Sequence, residues 1–263
     1  MRLENKVALI TGGGSGIGAA TARLFAREGA KLVVTGRRPG PLAGVAEEVG
    51  GVAVAGDTSD PAHVTDAVAA AVSNFGGLDV VVTCAGGGFG GSVGELDDGH
   101  WRSTFDTNLN GPMMMTRAAM PVMLKRGGGA VVLVASVNGI AAAPSSAAYD
   151  VSKAGVIALA RALAVDYGTR GIRTNALCPG WVSTSMGDDA MDELGKERGI
   201  SRQDAYDLAT AEVPLRRAGT AEEMAACCLF LASAESSFVN GTTLVADGGG
   251  LAVEITSTAF GPG

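Results

Sequence analysis

The chain is 263 residues long, 47% hydrophobic and 18% charged, with a net charge of −7. That length holds one large domain or two small ones with a substantial core, and the composition excludes a disordered chain. The acidic balance disfavours nucleic acid or an anionic membrane as main partner, and the 40 glycines, lacking a three-residue period, exclude collagen.

The N-terminal "MRLENKVALITGG" lacks a signal-peptide apolar core, and no apolar run reaches the ~18 residues of a membrane span. Cysteines 84, 178, 227 and 228 show no metal-ligand spacing. Cys227 and Cys228 sit in the apolar run "MAACCLFLA", as core thiols of a cytoplasmic protein would. With only His63 and His100 present, no metal site is expected.

In chain order, the predicted strands are "KVALIT" (6–11), "KLVVTG" (31–36), "GVAVAG" (51–56), "LDVVVTCAG" (78–86), "GAVVLVAS" (129–136), "IRTNALCPG" (172–180) and "TTLVADGG" (242–249). Helical patterns fall between them at 17–29, 60–76, 103–125, 147–169 and 220–233. Several strands are apolar at successive positions, as when both faces of a sheet are covered. The repeated alternation predicts a parallel α/β sheet with right-handed crossovers. The polar stretch 183–215 interrupts the rhythm and is either a functional lid or disordered.

"TGGGSGIG" (11–18) lies where the first strand runs into a helix. Gly12, Gly14 and Gly16 allow a tight turn, and backbone N–H groups around Ser15, Ile17 and Gly18 can approach a pyrophosphate at a helix N-terminus. The spacing is G-x-x-x-G-x-G rather than G-x-G-x-x-G. At the end of the second strand, where an acid usually holds the adenosine ribose, stands Gly36, followed by Arg37 and Arg38. A guanidinium binds a 2′-phosphate bidentately, so NADP(H) is favoured over NAD(H). Asp57, with Thr58 beside it, can accept from the adenine amino group, while Asp60 before Pro61 suits a helix N-cap. Cys84, Ala85 and Gly86 close the fourth strand at the carboxyl edge where ligands bind in open sheets.

With Asn108 in "DTNLNG", Ser136, "YDVSK" (149–153), "PGWVST" (179–184), "RRAGTAEE" (216–223) and "VNGTTLVADGG" (239–249), these motifs keep one order along nearly the whole chain. In this the chain resembles a short-chain dehydrogenase/reductase of the ~250-residue branch. The resemblance implies a three-layer, doubly wound Rossmann-type fold with seven parallel strands and helices on both faces. It further implies a single dinucleotide-binding and catalytic domain over 1–263, with a substrate lid at about 183–215 and a tail at 250–263.

Interconverting a ketone and a secondary alcohol requires an acid–base partner for the substrate oxygen, and a free tyrosine titrates near ~10. Lys153, four residues after Tyr149, shares its helix face. An ammonium ~4 Å away supplies roughly 4 kcal/mol to a phenolate at an effective dielectric of ~20, which draws the phenol toward neutrality. Ser136, at the end of the fifth strand, can polarise the substrate oxygen. By resemblance, Asn108 holds a water that links Lys153 to solvent, and Lys153 also reaches the nicotinamide ribose. Backbone near Val182 and the Thr184 hydroxyl would then bind the carboxamide, in a turn shaped by Pro179 and Gly180. One departure stands out: Thr83 and Cys84 replace the "NN" of the family's "NNAG", whose first asparagine ties neighbouring strands together.

Candidate substrate contacts are Phe89, Asn138, Trp181 and Met186, among mostly small apolar side chains between Ser136 and Tyr149. Lys125 and Arg126 leave acyl-carrier ketoreduction open beside an ordinary helix C-terminus. Family resemblance implies a homotetramer, or a homodimer, built on the helices carrying Asn108 and Tyr149. The leading reading is a carbonyl reductase or alcohol dehydrogenase, with a 3-oxoacyl reductase as one form of it. The alternatives are a catalytically idle dinucleotide-binding sensor or scaffold, and a dehydratase or epimerase.

Overall fold

The computed structural model describes residues 1–88 and 90–254. Its main sheet has seven parallel strands: β1 (Val7–Thr11), β2 (Lys31–Gly36), β3 (Val52–Ala55), β4 (Val80–Thr83), β5 (Gly129–Val134), β6 (Ile172–Pro179) and β9 (Thr243–Ala246). The spatial order is β3-β2-β1-β4-β5-β6-β9, as the doubly wound α/β architecture requires. The order reverses between β1 and β4, where Thr11 is in register with Thr83. The short strands β7 (Val182–Ser183) and β8 (Gly219–Thr220) pair beside this sheet.

Because successive side chains alternate faces, one stretch of strand feeds two cores. Val7, Leu9, Val81, Val131 and Leu133 pack under α3 (Pro61–Phe75), α5 (Gly111–Lys125) and α6 (Ala147–Tyr167). Ala8, Ile10, Val80, Val82 and Val132 face α1 (Gly16–Arg27), α2 (Pro39–Glu48) and α9 (Ala221–Ala232). Each Val, Leu or Ile so buried stabilises the fold by about 1.5–3 kcal/mol relative to exposure.

Local chemistry sets the helix ends. The Asp60 carboxylate accepts from the Ala62 N–H, Pro61 occupies the first turn of α3, and Gly76 closes it in the left-handed region. Thr220 and Glu223 form a reciprocal capping box on α9.

Three segments differ from the sequence reading. Helix α2 is not expected from the sequence, since Pro39, Gly40, Pro41 and Gly44 resemble a loop. Only Leu42, Val45 and Ala46 of it are buried. The stretch read as one helix over 103–125 is α4 (Asp98–Phe105), one π turn (Asp106–Asn110) and then α5.

Third, 183–215 is mostly ordered helix: α7 (Ser185–Arg198) and α8 (Arg202–Ala209) pack around Met191, Ala205 and Tyr206. Arg202 binds Asp192 at 2.6 Å and Asp188 at 3.6 Å. The Tyr206 hydroxyl donates to Asp188 at 3.0 Å. Burial, aided by that carboxylate, pushes Tyr206 up to about 12. Of the tail, 250–252 form a short turn and 255–263 lie outside the described residues. Among the described residues, no helix is long and apolar enough to cross a membrane.

Candidate active site

All the candidate residues come from segments at or beyond the carboxyl ends of β1 to β6, or from helices those segments enter. Gly12 and Gly16 take φ of +65° and +50°, the left-handed region where a side chain is strained. A Cβ on Gly12 would stand 2.9 Å from the Ala85 nitrogen, and one on Gly18 would overlap the Gly12 carbonyl. The loop is therefore a cradle that side chains would fill, which fits a pyrophosphate at the N-terminus of α1. Gly14 backs onto Leu42 of α2, and Ile17 packs on the core face of α1.

Ser15 precedes α1 and caps nothing with its side chain. Its hydroxyl instead accepts from Arg38 Nη2 at 2.8 Å, which draws the exposed guanidinium across from the end of β2 to the phosphate loop. Arg37 is exposed beside it. Asp57 Oδ1 accepts from both the backbone and the hydroxyl of Ser59, at 2.9 and 2.8 Å. Burial raises its pKa, but the Ser59 bonds, with the charges of Arg37 and His63, outweigh this and hold it below the usual range. Thr58 is 4% exposed and packs against the start of α5.

The backbone after β4 is tied to β1: Ala85 N–H donates to Thr11 Oγ1 at 3.0 Å and Cys84 N–H to the Thr11 carbonyl at 3.3 Å. Desolvation pushes the Cys84 thiol well above its ordinary range, against the charge of Lys153, which disfavours the reactive thiolate. Thr83 Oγ1 is buried without a hydrogen-bond partner, so the inter-strand tie of the family's asparagine is missing here.

Asn108, fully buried, lies in the π turn between α4 and α5. Such turns are rare and concentrate at functional sites. Its Oδ1 accepts from the Gly87 N–H at 2.9 Å, and its Nδ2 donates to Ser152 Oγ at 3.0 Å. Ser152 Oγ in turn donates to the Tyr149 carbonyl at 2.7 Å.

Lys153, 4% exposed, donates from Nζ to the Val134 carbonyl at 3.0 Å, and Nζ lies 5.5 Å from the centre of the Tyr149 ring. A Cβ on Gly86 would sit 3.2 Å from Lys153 Nζ and 3.4 Å from Asn108 Oδ1, and one on Gly88 would sit 3.3 Å from Tyr149 Cδ2. The segment 84–88 thus runs directly past the phenol, the ammonium and the amide. Ser136 Oγ accepts from the Asn138 N–H at 3.2 Å, which leaves its own proton to donate.

The loop after β6 closes from the far side. Pro179 ends β6, and Gly180 N–H donates to the Ala246 carbonyl at 3.1 Å. Val182 is buried, and Thr184 lies 3.3 Å from where a Cβ on Gly16 would stand. The Thr184 hydroxyl caps α7 by accepting from the Gly187 N–H at 3.3 Å, a second role beside the one expected of it. Trp181 and Met186 stand 45% and 54% exposed on this rim. Asn138 does not present a free amide: its Nδ2 is held by Asp150 at 2.8 Å. Phe89 lies outside the described residues. Asp150 and Ser152 were missed by the sequence reading, although both lie within "YDVSK".

This arrangement has relatives among known proteins. A family model described as enoyl-(acyl carrier protein) reductase matches residues 12–250. Protein MoaE of Klebsiella aerogenes is 38% identical over 97% of this chain and 99% of its own length. The 3-oxoacyl-[acyl-carrier-protein] reductase FabG of Thermotoga maritima is 36% identical over 95% of this chain and 99% of its own. Among solved structures, a variant of actinorhodin polyketide ketoreductase with NADPH superposes with a TM-score of 0.89. It is 32% identical and covers 93% of this chain and 97% of its own.

Proposed function

The chain belongs to the short-chain dehydrogenase/reductase family of NAD(P)-dependent oxidoreductases, and from that premise we propose that it interconverts a ketone and a secondary alcohol using NADP(H), with Tyr149 as acid and base. The observation that carries this reading is the buried Lys153 ammonium, 5.5 Å from the Tyr149 ring and fixed by the Val134 carbonyl. When bound, the cofactor supplies or accepts the hydride at the carbonyl carbon. In reduction, Ser136 donates to the carbonyl oxygen, and Tyr149 transfers its proton to the oxygen as negative charge develops there. Lys153 stabilises the resulting phenolate. Asn108 Oδ1 keeps one lone pair beyond its bond to Gly87, to which we assign the water that returns a proton toward Lys153.

The Gly12–Gly18 cradle and the segment 84–86 hold the cofactor in this reading, with Asp57 and Thr58 at the adenine and Pro179 to Thr184 at the nicotinamide. Arg38, bonded to Ser15 across the adenosine end, supports the phosphorylated cofactor, as does the NADPH of the structural relative. The exposed Trp181, Met186 and Ile140 favour a ketone on an apolar body. Arg126 is engaged by Asp79 at 3.0 Å, at the amino-terminal edge of β5 and away from the site, so Lys125 and Arg126 do not support a docked acyl carrier. Val151 and Val165, exposed on α6, support a homotetramer or homodimer built on that helix.

The test is NADPH oxidation against cyclohexanone, ethyl acetoacetate, an acetoacetyl thioester and menadione, with Tyr149→Phe alongside. Turnover of at least one ketone by the native enzyme and its loss in the variant, with NADPH affinity kept, is the expected result. A Tyr149→Phe enzyme with most of its kcat overturns the reading.

A further inference from the structure

Asp150 follows Tyr149 on α6 and is only 9% exposed. Its Oδ1 accepts from Asn138 Nδ2 at 2.8 Å, and its Oδ2 from the Ala143 N–H at 2.9 Å. A carboxylate only accepts, so the nitrogen of the Asn138 amide must be the end that faces it. The Asn138 backbone N–H donates in turn to Ser136 Oγ at 3.2 Å. One chain of bonds therefore runs from the residue after the tyrosine to the serine hydroxyl. The same carboxylate also holds the far limb of the intervening loop, at Ala143. Between the two limbs, Gly139 lies so close to α6 that a Cβ there would stand 2.7 Å from the Lys153 carbonyl carbon. The loop has no slack on that side. Burying a carboxylate is costly unless donors satisfy it, and both donors here come from this loop.

We propose that Asp150 is a positioning residue: by clasping Asn138 and Ala143 it fixes the 137–143 loop on α6 and holds the Ser136 hydroxyl beside the oxygen that Tyr149 serves. The proposal rests on the roles given to Ser136 and Tyr149 above. Replacing Asp150 by Ala removes both acceptors at once. Replacing it by Asn keeps both bonds, because the new amide accepts from the Ala143 N–H and donates to the Asn138 Oδ1 once that amide turns over.

The test uses the full-length enzyme, NADPH and the ketone of the panel above with the highest kcat/KM. The expected result is a kcat at least tenfold lower in Asp150→Ala, an NADPH Kd within twofold of wild type, and recovery to within threefold in Asp150→Asn. Amide hydrogen exchange over 137–143 should speed up at least tenfold in Asp150→Ala and return in Asp150→Asn. If Asp150→Ala does not fold, Asn138→Ala, which keeps the Ala143 bond, must show a loss of kcat in the same direction. A folded Asp150→Ala enzyme (or, failing that, Asn138→Ala) within twofold of wild-type kcat overturns the proposal, and so does an Asp150→Asn enzyme no better than Asp150→Ala. Tyr149→Phe separates the two levels: if it stays active the catalytic reading falls, whereas if it is dead and Asp150→Ala is normal only the positioning role falls.

Discussion

Replacing Lys153 by Met tests the electrostatics of the site most directly. Methionine keeps most of the side-chain volume and removes the charge. The ammonium lies 5.5 Å from the centre of the Tyr149 ring and is 4% exposed, so solvent screens it weakly. At an effective dielectric of about 20, two opposite unit charges that far apart attract by about 3 kcal/mol, which sets the order of the effect on a negative charge shared between the phenol oxygen and its ring. Sequence spacing alone, with an ammonium placed ~4 Å from the oxygen, gave a somewhat larger value. In the chemical step the cation acts on the charge that develops as the proton leaves Tyr149, so its removal should appear in kcat, by ~150-fold. The assay is steady-state ketone reduction and alcohol oxidation at saturating cofactor, with NADPH Kd measured separately by fluorescence to isolate the binding role of the lysine. Lys153→Arg, which keeps the charge, should lose less than Lys153→Met. A folded Lys153→Met enzyme within fivefold of wild-type kcat, beside an inactive Tyr149→Phe, would show that the tyrosine works without its cation.

Arg38→Ala should raise the KM for NADPH by tenfold or more and leave that for NADH within twofold, because the guanidinium bonded to Ser15 would meet only a 2′-phosphate; equal effects on both cofactors would reject this. Gly18→Ala should abolish NADPH binding or soluble expression, since the methyl would overlap the Gly12 carbonyl and backbone cannot yield there; near-normal Kd by titration would contradict the cradle. Thr83→Val removes a buried hydroxyl that has no partner, so melting curves should show an unchanged Tm or a gain worth about 1 kcal/mol, with activity kept; a clear loss would mean the hydroxyl is bonded. Burial pushes Cys178 to about 11 and Cys228 to about 12, so at pH 8 a thiol reagent should label neither until the protein unfolds; fast native labelling of either, read by mass spectrometry, would refute their burial.

The strand–helix rhythm and the candidate residues were legible because each is written locally: an apolar run, a glycine turn, a phenol four positions from a lysine. What stayed hidden has physical reasons. Helix α2 begins "RPGPLAG", and the rule that Pro and Gly break helices misleads where Pro39 stands in the first turn, its missing N–H having no bond to lose. The π turn at Asn108 inserts into a pattern whose apolar residues still recur at helical intervals, so periodicity reads straight through it. In the 183–215 stretch the signals were present but faint. Ser201 and Asp204 form a capping box and Gly199 ends α7 with φ of +68°, yet so few apolar residues lie between them that the helices look like loop.

The partners of the site residues were the least legible part, and they determine its geometry. Asn108, Ser136 and Lys153 each bond to a group at another point in the sequence: Ser152 and Gly87, the Asn138 N–H, and the Val134 carbonyl. A motif names the groups that meet substrate, whereas a buried polar group must also find a partner wherever the fold supplies one. One of these partners, Ser152, lies on α6, which gathers several groups of the site. Within five residues it carries the phenol, the carboxylate that clasps the 137–143 loop, the hydroxyl that receives Asn108, and the lysine bonded to β5. Because one rigid helix holds all four, a loosened bond at one of them is transmitted to the others through backbone with little freedom to adjust. Substitutions at Asp150 or Ser152 should therefore disturb turnover more than their distance from the substrate oxygen would imply.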